Sequence, residues 1–336
     1  MINLAQIGCG YWGPNLLRNF NYCQGCRIIG VADPSEKSRK NVSEKYPGLP
    51  LHKNPDDVLE NRNVDAVVIA TPARLHYTLT KQALIAGKDV LVEKPLALTF
   101  SQGSELVNLA REKKRILMVG HILEYHPAIA EIQKLFCVGN LGQLQYVSSS
   151  RLNLGKIRME ENVLWSFAPH DIAVLHRLAG SMPTHVMATG SAFLQEKISD
   201  MTHSHLFFHS GAHAHIQVSW LHPFKEQRLV VVGSNAMVTY NDIRKELLLY
   251  PHSIDMNNAG PPIPTRAAPQ PLPFSNEEPL AVECAAFLEA VKSRNAPLTD
   301  GSSGLAVLQT LEALQTSMDR QGQKVLLSEI ATKSAA

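Results

Sequence analysis

Apolar residues change their spacing near residue 120. Ahead of that point, short apolar runs alternate with segments of helical period. Residues 4–7, 27–32, 64–70, 90–92 and 116–119 read as strands, and residues 14–22, 35–45, 75–86 and 101–113 as helices. The run VDAVVIA at 64–70 is apolar almost throughout, the mark of a strand buried on both faces. Strands alternating with helices predict an α/β domain, a doubly wound parallel sheet of the Rossmann type with right-handed crossovers.

Beyond residue 120, helices are predicted at 127–136 and 168–178. Strand-like segments follow at 143–152, 185–193, 203–209, 212–221, 228–232 and 237–240, several joined by glycine turns such as Ser210-Gly211. This pattern predicts an α+β domain with a mostly antiparallel, open sheet. Alternation within 203–218 separates two faces. Leu206, Phe208, Ala212, Ala214, Ile216 and Val218 form one, and His203, His205, Phe207, His209, His213, His215 and Gln217 the other. Residues 251–279 read as a loop carrying eight of the 20 prolines, and 280–293 and 304–320 as closing helices. The expected division is 1–120 for dinucleotide binding and 121–336 for substrate binding and oligomerisation, with the closing helices packing back on the first domain.

Composition removes several alternatives. A length of 336 residues suits two domains. Hydrophobic residues at 45% and charged residues at 18% exclude a disordered chain and a coiled coil. Without an apolar run of about 18 residues, no membrane span is expected. A net charge of +2 carries no basic field pointing to nucleic acid. No secretory signal pattern opens the chain, and five cysteines make an odd count for a disulfide framework, so a cytoplasmic protein is expected. Cys23 and Cys26 form a C-x-x-C without a second pair at metal spacing, and they read as small residues at a helix-to-strand junction.

The chemistry begins at Gly8-Cys9-Gly10-Tyr11-Trp12-Gly13, a G-x-G-x-x-G between a predicted strand and helix. The first glycine permits the tight turn, the second lets a pyrophosphate approach the backbone, and the third allows close helix–strand packing. Pro14 suits a first helical turn, whose N–H groups favour a phosphate. Asp33, twenty residues on, stands where a carboxylate accepts the ribose hydroxyls and repels a 2′-phosphate, so NAD is expected over NADP. Arg39 is the feature that favours NADP. Lys94 ends a predicted parallel strand between Glu93 and Pro95, at the sheet edge where α/β proteins bind ligands.

Glu93-Lys94-Pro95, the glycine loop and Ala70-Thr71-Pro72 together resemble the glucose–fructose oxidoreductase/inositol dehydrogenase (Gfo/Idh/MocA) family, over essentially the whole chain. The resemblance implies an oxidoreductase with Lys94 at the catalytic site. It places Tyr11, Trp12, Thr71, Pro72, His76 and Glu93 along the cofactor. It also implies a histidine near the start of a helix in the second domain, four residues after an aspartate. His170 fits, Ser166 takes the aspartate position, and Asp171 points about 100° away on a helix. His170 is then the acid–base group, since histidine ordinarily titrates near pH 6.5, and Lys94 stabilises the developing alkoxide.

Residues 148–165 bring Arg151, Asn153, Lys156 and Arg158 to this histidine, a set suited to an anionic substrate. With Gly120-His121 and Glu124-Tyr125-His126-Pro127, they resemble the branch acting on nucleotide-linked sugars, and Tyr125 and Trp165 join the expected substrate set. A UDP-sugar, oxidised at the 3-hydroxyl, is the expected substrate, with a free polyol such as inositol and a non-catalytic NAD-binding regulator as alternatives. Of the 14 histidines, five (203, 205, 209, 213 and 215) share a strand face that no carboxylate or cysteine joins at ligand spacing. The expectation there is no metal, and a homodimer or homotetramer face sensitive near pH 6.

Overall fold

A computed structural model describes residues 1–255 and 261–333. Six parallel strands form the first sheet: β1 (Ile2–Ile7), β2 (Cys26–Ala32), β3 (Leu51–His52), β4 (Ala66–Ile69), β5 (Asp89–Glu93) and β6 (Leu117–Gly120). Their order is β3-β2-β1-β4-β5-β6. The order in which successive strands are added therefore reverses between β1 and β4, the switch point at which a crevice opens outside the carboxyl ends. Helices α1 (Gly13–Tyr22), α2 (Glu36–Lys45), α3 (Asp56–Leu59), α4 (His76–Ile85) and α5 (Phe100–Lys113) make the connections. All four residues of β4 are buried, as a strand covered on both faces requires.

The second sheet has nine strands. It contains β7 (Leu144–Leu152), β8 (His185–Ser191), β9 (Met201–Phe207), β10 (His213–Ser219), β11 (Glu226–Gly233), β12 (Met237–Asn241) and β13 (Glu246–Tyr250). β14 (Ser253–Asp255) and β15 (Ile263–Thr265) pair separately, while β16 (Gln270–Pro271) edges the large sheet at β13. The chain from 251 to 279 therefore holds three short strands where the sequence predicted a loop; residues 256–260 of that stretch lie outside the described residues. α6 (Pro127–Cys137) and α7 (Val163–Ala179) precede most of these strands. α8 (Pro279–Ser293), α9 (Gly301–Asp319), β17 (Val325–Leu326) and α10 (Leu327–Lys333) follow them. Every pair in the nine-stranded sheet is antiparallel except β7 with β10.

α7 begins well before the predicted 168. Asn162 caps it, its Oδ1 accepting the Trp165 N–H at 3.2 Å, and Pro169 lies inside the helix rather than at its start. The β9–β10 register opposes His205 to His215, His203 to Gln217 and Phe207 to His213. Leu206, Phe208, Ala212, Ala214, Ile216 and Val218 are buried, so the two faces separate as the alternation required.

The chain forms two compact units, the first made of Met1–Tyr125 with Glu277–Gln309, the second of His126–Asn276 with Thr310–Ala336. Residues 334–336 of the latter lie outside the described residues. The first unit thus takes in α8 and the first half of α9, closing helices that the sequence places back on the first domain. The cause is the apolar stripe of α8: Leu280, Cys284, Phe287, Leu288 and Val291 share one core with Leu4, Leu16, Phe20, Val68, Leu91 and Met118 of the first unit. Phe20 and Phe287 meet edge to face, ring centroids 6.2 Å apart. Among the described residues, no helix is long and apolar enough to cross a membrane.

Candidate functional site

The carboxyl edge of the first sheet gathers most of the residues that the motifs singled out. Gly8 follows β1 with φ +96°, and a Cβ there would lie 2.5 Å from the Ala70 carbonyl oxygen. Only glycine accepts both conditions. A Cβ on Gly13 would collide with the Gly8 carbonyl, whereas a Cβ on Gly10 would meet nothing within 4 Å. The loop is therefore packed tightly against protein at Gly8 and Gly13 and open at Gly10, as a backbone that receives a pyrophosphate must be. Pro14 occupies the first turn of α1, and Tyr11 is largely exposed beside it.

Asp33, buried at the end of β2, accepts the Cys9 N–H at 2.6 Å and the Ser35 N–H at 2.8 Å, one on each carboxylate oxygen. It thus pins the glycine loop to β2, and its remaining lone pairs are still available to ribose hydroxyls. Arg39, which a 2′-phosphate would need, instead donates Nη1 to the Asp33 and Pro34 carbonyls at 2.7 and 3.0 Å. Thr71 Oγ1 is buried without a hydrogen-bond partner. An open loop backbone, a ribose-facing carboxylate and an orphaned hydroxyl at the same sheet edge fit NAD.

His76 ties the edge together. It is buried at the start of α4, with Nδ1 2.7 Å from the Pro95 carbonyl oxygen and Nε2 2.9 Å from that of Thr71. The β4 and β5 loops are thereby stapled to one ring, and Pro72 is exposed between them. Glu93 and Lys94 are half-buried at the end of β5, and the Lys94–Pro95 peptide is cis. The Glu93 carboxylate lies over Gly120 of β6, where a Cβ would come within 3.1 Å of it. Glu93 Oε2 accepts the Lys94 N–H at 3.3 Å, and the Trp12 indole also donates to this carboxylate. Burial pushes Glu93 up to about 7, against the opposing pull of the Lys94 charge and of both donors. Tyr125 is buried nearby, its hydroxyl 3.1 Å from Thr299 Oγ1.

Sequence reasoning missed Glu283. It is fully buried in α8, and neither carboxyl oxygen has a hydrogen-bond partner. Burial, then the Glu93 charge, holds it well above the ordinary carboxylate range. The available signal was an acid set on an apolar helical stripe, three residues after Leu280 and four before Phe287.

In the second unit, His170 is half-buried in α7 directly after Pro169, and Ser166 is buried one turn earlier. Trp165 Nε1 donates to Gln315 Oε1 at 3.2 Å. Arg151, near the end of β7, pairs with buried Asp171 through Nε at 2.9 Å and Nη2 at 3.1 Å, and Ser149 Oγ donates to the same carboxylate at 2.8 Å. On the following loop, Asn153 N–H donates to the Ser219 carbonyl at 3.1 Å, Lys156 is exposed, and Arg158 pairs with Glu161 at 3.0 Å.

The cysteines and the histidine face stand apart from this chemistry. Cys26 is pushed up to about 11 by burial and by Cys23, the reverse of an activated thiol. His205 and His215 bring their Nδ1 atoms to 2.7 Å, while Phe207 stacks on His185 and meets His213 edge-on. Among the described residues, no group of three or more His, Cys, Asp or Glu is placed to hold a metal ion.

Comparison with known proteins extends this picture over the whole chain. Residues 2–121 match the oxidoreductase family with NAD-binding Rossmann fold, and residues 129–239 match the Gfo/Idh/MocA C-terminal domain. The UDP-N-acetylglucosamine 3-dehydrogenase of Acidithiobacillus ferrooxidans is 27% identical over 91% of this chain and 95% of its own length. A solved structure of that enzyme superposes with a TM-score of 0.84, covering 95% of this chain and 98% of that one at 23% identity. The scyllo-inositol 2-dehydrogenase (NAD(+)) of Bacillus subtilis is 24% identical over 73% of this chain and 75% of its own. With its glycine loop, its Lys94 edge and both family regions matched, this chain belongs to the Gfo/Idh/MocA family of NAD-binding oxidoreductases.

Proposed function

We propose that this enzyme oxidises a secondary hydroxyl of a sugar, and that its substrate is a UDP-linked sugar attacked at the 3-hydroxyl, such as UDP-N-acetylglucosaminuronate. The observation that carries the reading is Lys94 at the carboxyl edge of the NAD-binding sheet, its N–H held by Glu93 and the next residue, Pro95, bonded to His76. When bound, NAD supplies the hydride acceptor. His170 takes the hydroxyl proton as general base and returns it in reduction. Lys94 hydrogen-bonds the same oxygen and stabilises its alkoxide charge. Asn153, Lys156 and Arg158 supply cationic and amide donors suited to a diphosphate. The similarity to a UDP-N-acetylglucosamine dehydrogenase along nearly the full length supports this choice, while the inositol dehydrogenase supports a free polyol as the second reading.

The test is turnover by purified protein, read as NADH absorbance, across UDP-N-acetylhexosamines, their uronates, inositols and free aldoses, with NAD and NADP in parallel. The expected result is turnover of a UDP-sugar with NAD. Turnover of inositol alone moves the assignment to a polyol dehydrogenase, and NADH binding with no turnover identifies a regulator. We further propose that the histidine-bearing sheet face joins subunits into a dimer or tetramer. Light scattering is expected to give two or four chain masses, and a monomer at all concentrations refutes it.

A further inference from the structure

Pro169 sits seven residues into α7, where it carries no N–H for the Trp165 carbonyl. The helix thus lacks one of its own hydrogen bonds in the turn that carries His170. The turn before the break is fixed by Asn162, which caps the Trp165 N–H and donates Nδ2 to Gln315 at 2.8 Å. After the break, Asp171 ties the helix to the sheet. Its carboxylate receives three donors from β7, two from the planar guanidinium of Arg151 and one from Ser149. A bidentate pair fixes direction as well as distance.

Arg151 is itself held from behind. With the Gln227 amide turned to satisfy both ends, its oxygen accepts Arg151 Nη1 at 3.2 Å and its nitrogen donates to Asp242 Oδ2 at 2.8 Å. The Tyr240 hydroxyl donates to Asp242 Oδ1 at 2.7 Å and lies 2.8 Å from Nε2 of His126. His126 Nδ1 accepts the Ala128 N–H at 3.1 Å, so its Nε2 is the donor to Tyr240. A hydrogen-bonded chain thus runs from α6 across β12, β11 and β7 to the residue beside His170.

We propose that Asp171 and Arg151 are positioning residues for His170, fixing α7 at its proline break and supplying the orientation that Ser166, one turn earlier, has no carboxylate to give. Arg151 then acts through the helix rather than by binding substrate. The proposal rests on His170 being the acid–base group of the reaction above.

Arg151→Lys keeps the charge but loses the planar fork, and Asp171→Asn keeps the shape but loses the charge. Each is expected to lower kcat by about 10–100-fold, the scale of a misplaced catalytic group, with KM nearly unchanged. Arg294→Lys is the control. Arg294 makes an equivalent bidentate pair with buried Asp89, at the start of β5 in the first unit, through Nη1 at 2.6 Å and Nη2 at 3.0 Å. It is expected to lower Tm comparably while leaving kcat intact. A second readout needs no substrate: relative to the parent protein, the His170 Cε1–H resonance is expected to shift or broaden in Arg151→Lys and not in Arg294→Lys. A variant that stays folded with kcat and resonance unchanged overturns the proposal. So does a rise confined to KM, which would make Arg151 a substrate ligand. A parent protein with no turnover but the expected resonance change would refute the reaction and leave the positioning role standing.

Discussion

Lys94→Ala is expected to lower kcat by about 10²–10³-fold, the usual loss when one donor to a developing oxyanion is removed, while NADH binding is retained. Two anchors of the backbone around Lys94 lie outside its side chain. Its N–H is held by Glu93 Oε2, and the Pro95 carbonyl faces His76. Alanine keeps both anchors, so the glycine loop and Asp33, the residues proposed for the other half of the cofactor, stay where they are. Steady-state turnover on the best substrate, paired with an NADH fluorescence titration, separates the two effects. A loss confined to KM, or a parallel loss of NADH affinity, would show that Lys94 binds ligand without assisting the chemistry.

The second large effect is a gain. Glu283→Leu is expected to raise stability at pH 8 by about 1–3 kcal/mol, the cost of leaving a buried polar group unsatisfied. The direction with pH follows from proton binding. A carboxyl held above its ordinary range binds its proton more tightly in the folded chain than in the unfolded one. Stability is then intact below the ordinary glutamate pKa of about 4.3 and is withdrawn as pH rises toward the folded value. The gain in Glu283→Leu should therefore be small near pH 4 and grow toward pH 8, and Glu283→Gln should share the trend. Thermal melts across that range measure it. A lower Tm for both variants at pH 8 would mean that the carboxyl contributes more than it costs, and would turn attention to an exchangeable proton beside Glu93.

Local pattern carried most of the first sheet into view. Strand-buried runs such as 64–70, the glycine loop, Asp33 and Lys94 each depend on neighbours within a few residues, and each sits in the structure on the predicted element. What escaped was non-local. The sequence places the closing helices back on the first domain, yet nothing near Glu283 announces which side chains of that sheet its helix meets, and the parallel pairing of β7 with β10 spans the whole of α7, β8 and β9. The predicted start of α7 at 168 falls late, and Pro169 lies inside the helix. The true start is set by Asn162, whose side chain caps the helix six residues upstream of the predicted 168. The ion pair of Arg151 is hidden for the same reason, since its buried counter-ion lies twenty residues away, across a helix–sheet contact.

The return of α8 to the first core also bears on how the chain is made. A ribosome releases residues 1–125 long before 277–309, with a delay on the order of 10 s at 5–20 residues per second. During that interval Leu4, Val68, Leu91 and Met118 lack Phe287 and Leu288 against them. Residues 126–276, most of the second unit, are translated inside the gap, so the nascent first sheet waits half-covered for α8. Any fragment that stops at residue 125 keeps that half-covered state for good, with the complete cofactor loop intact and the apolar face beneath its sheet open to whatever chain comes next.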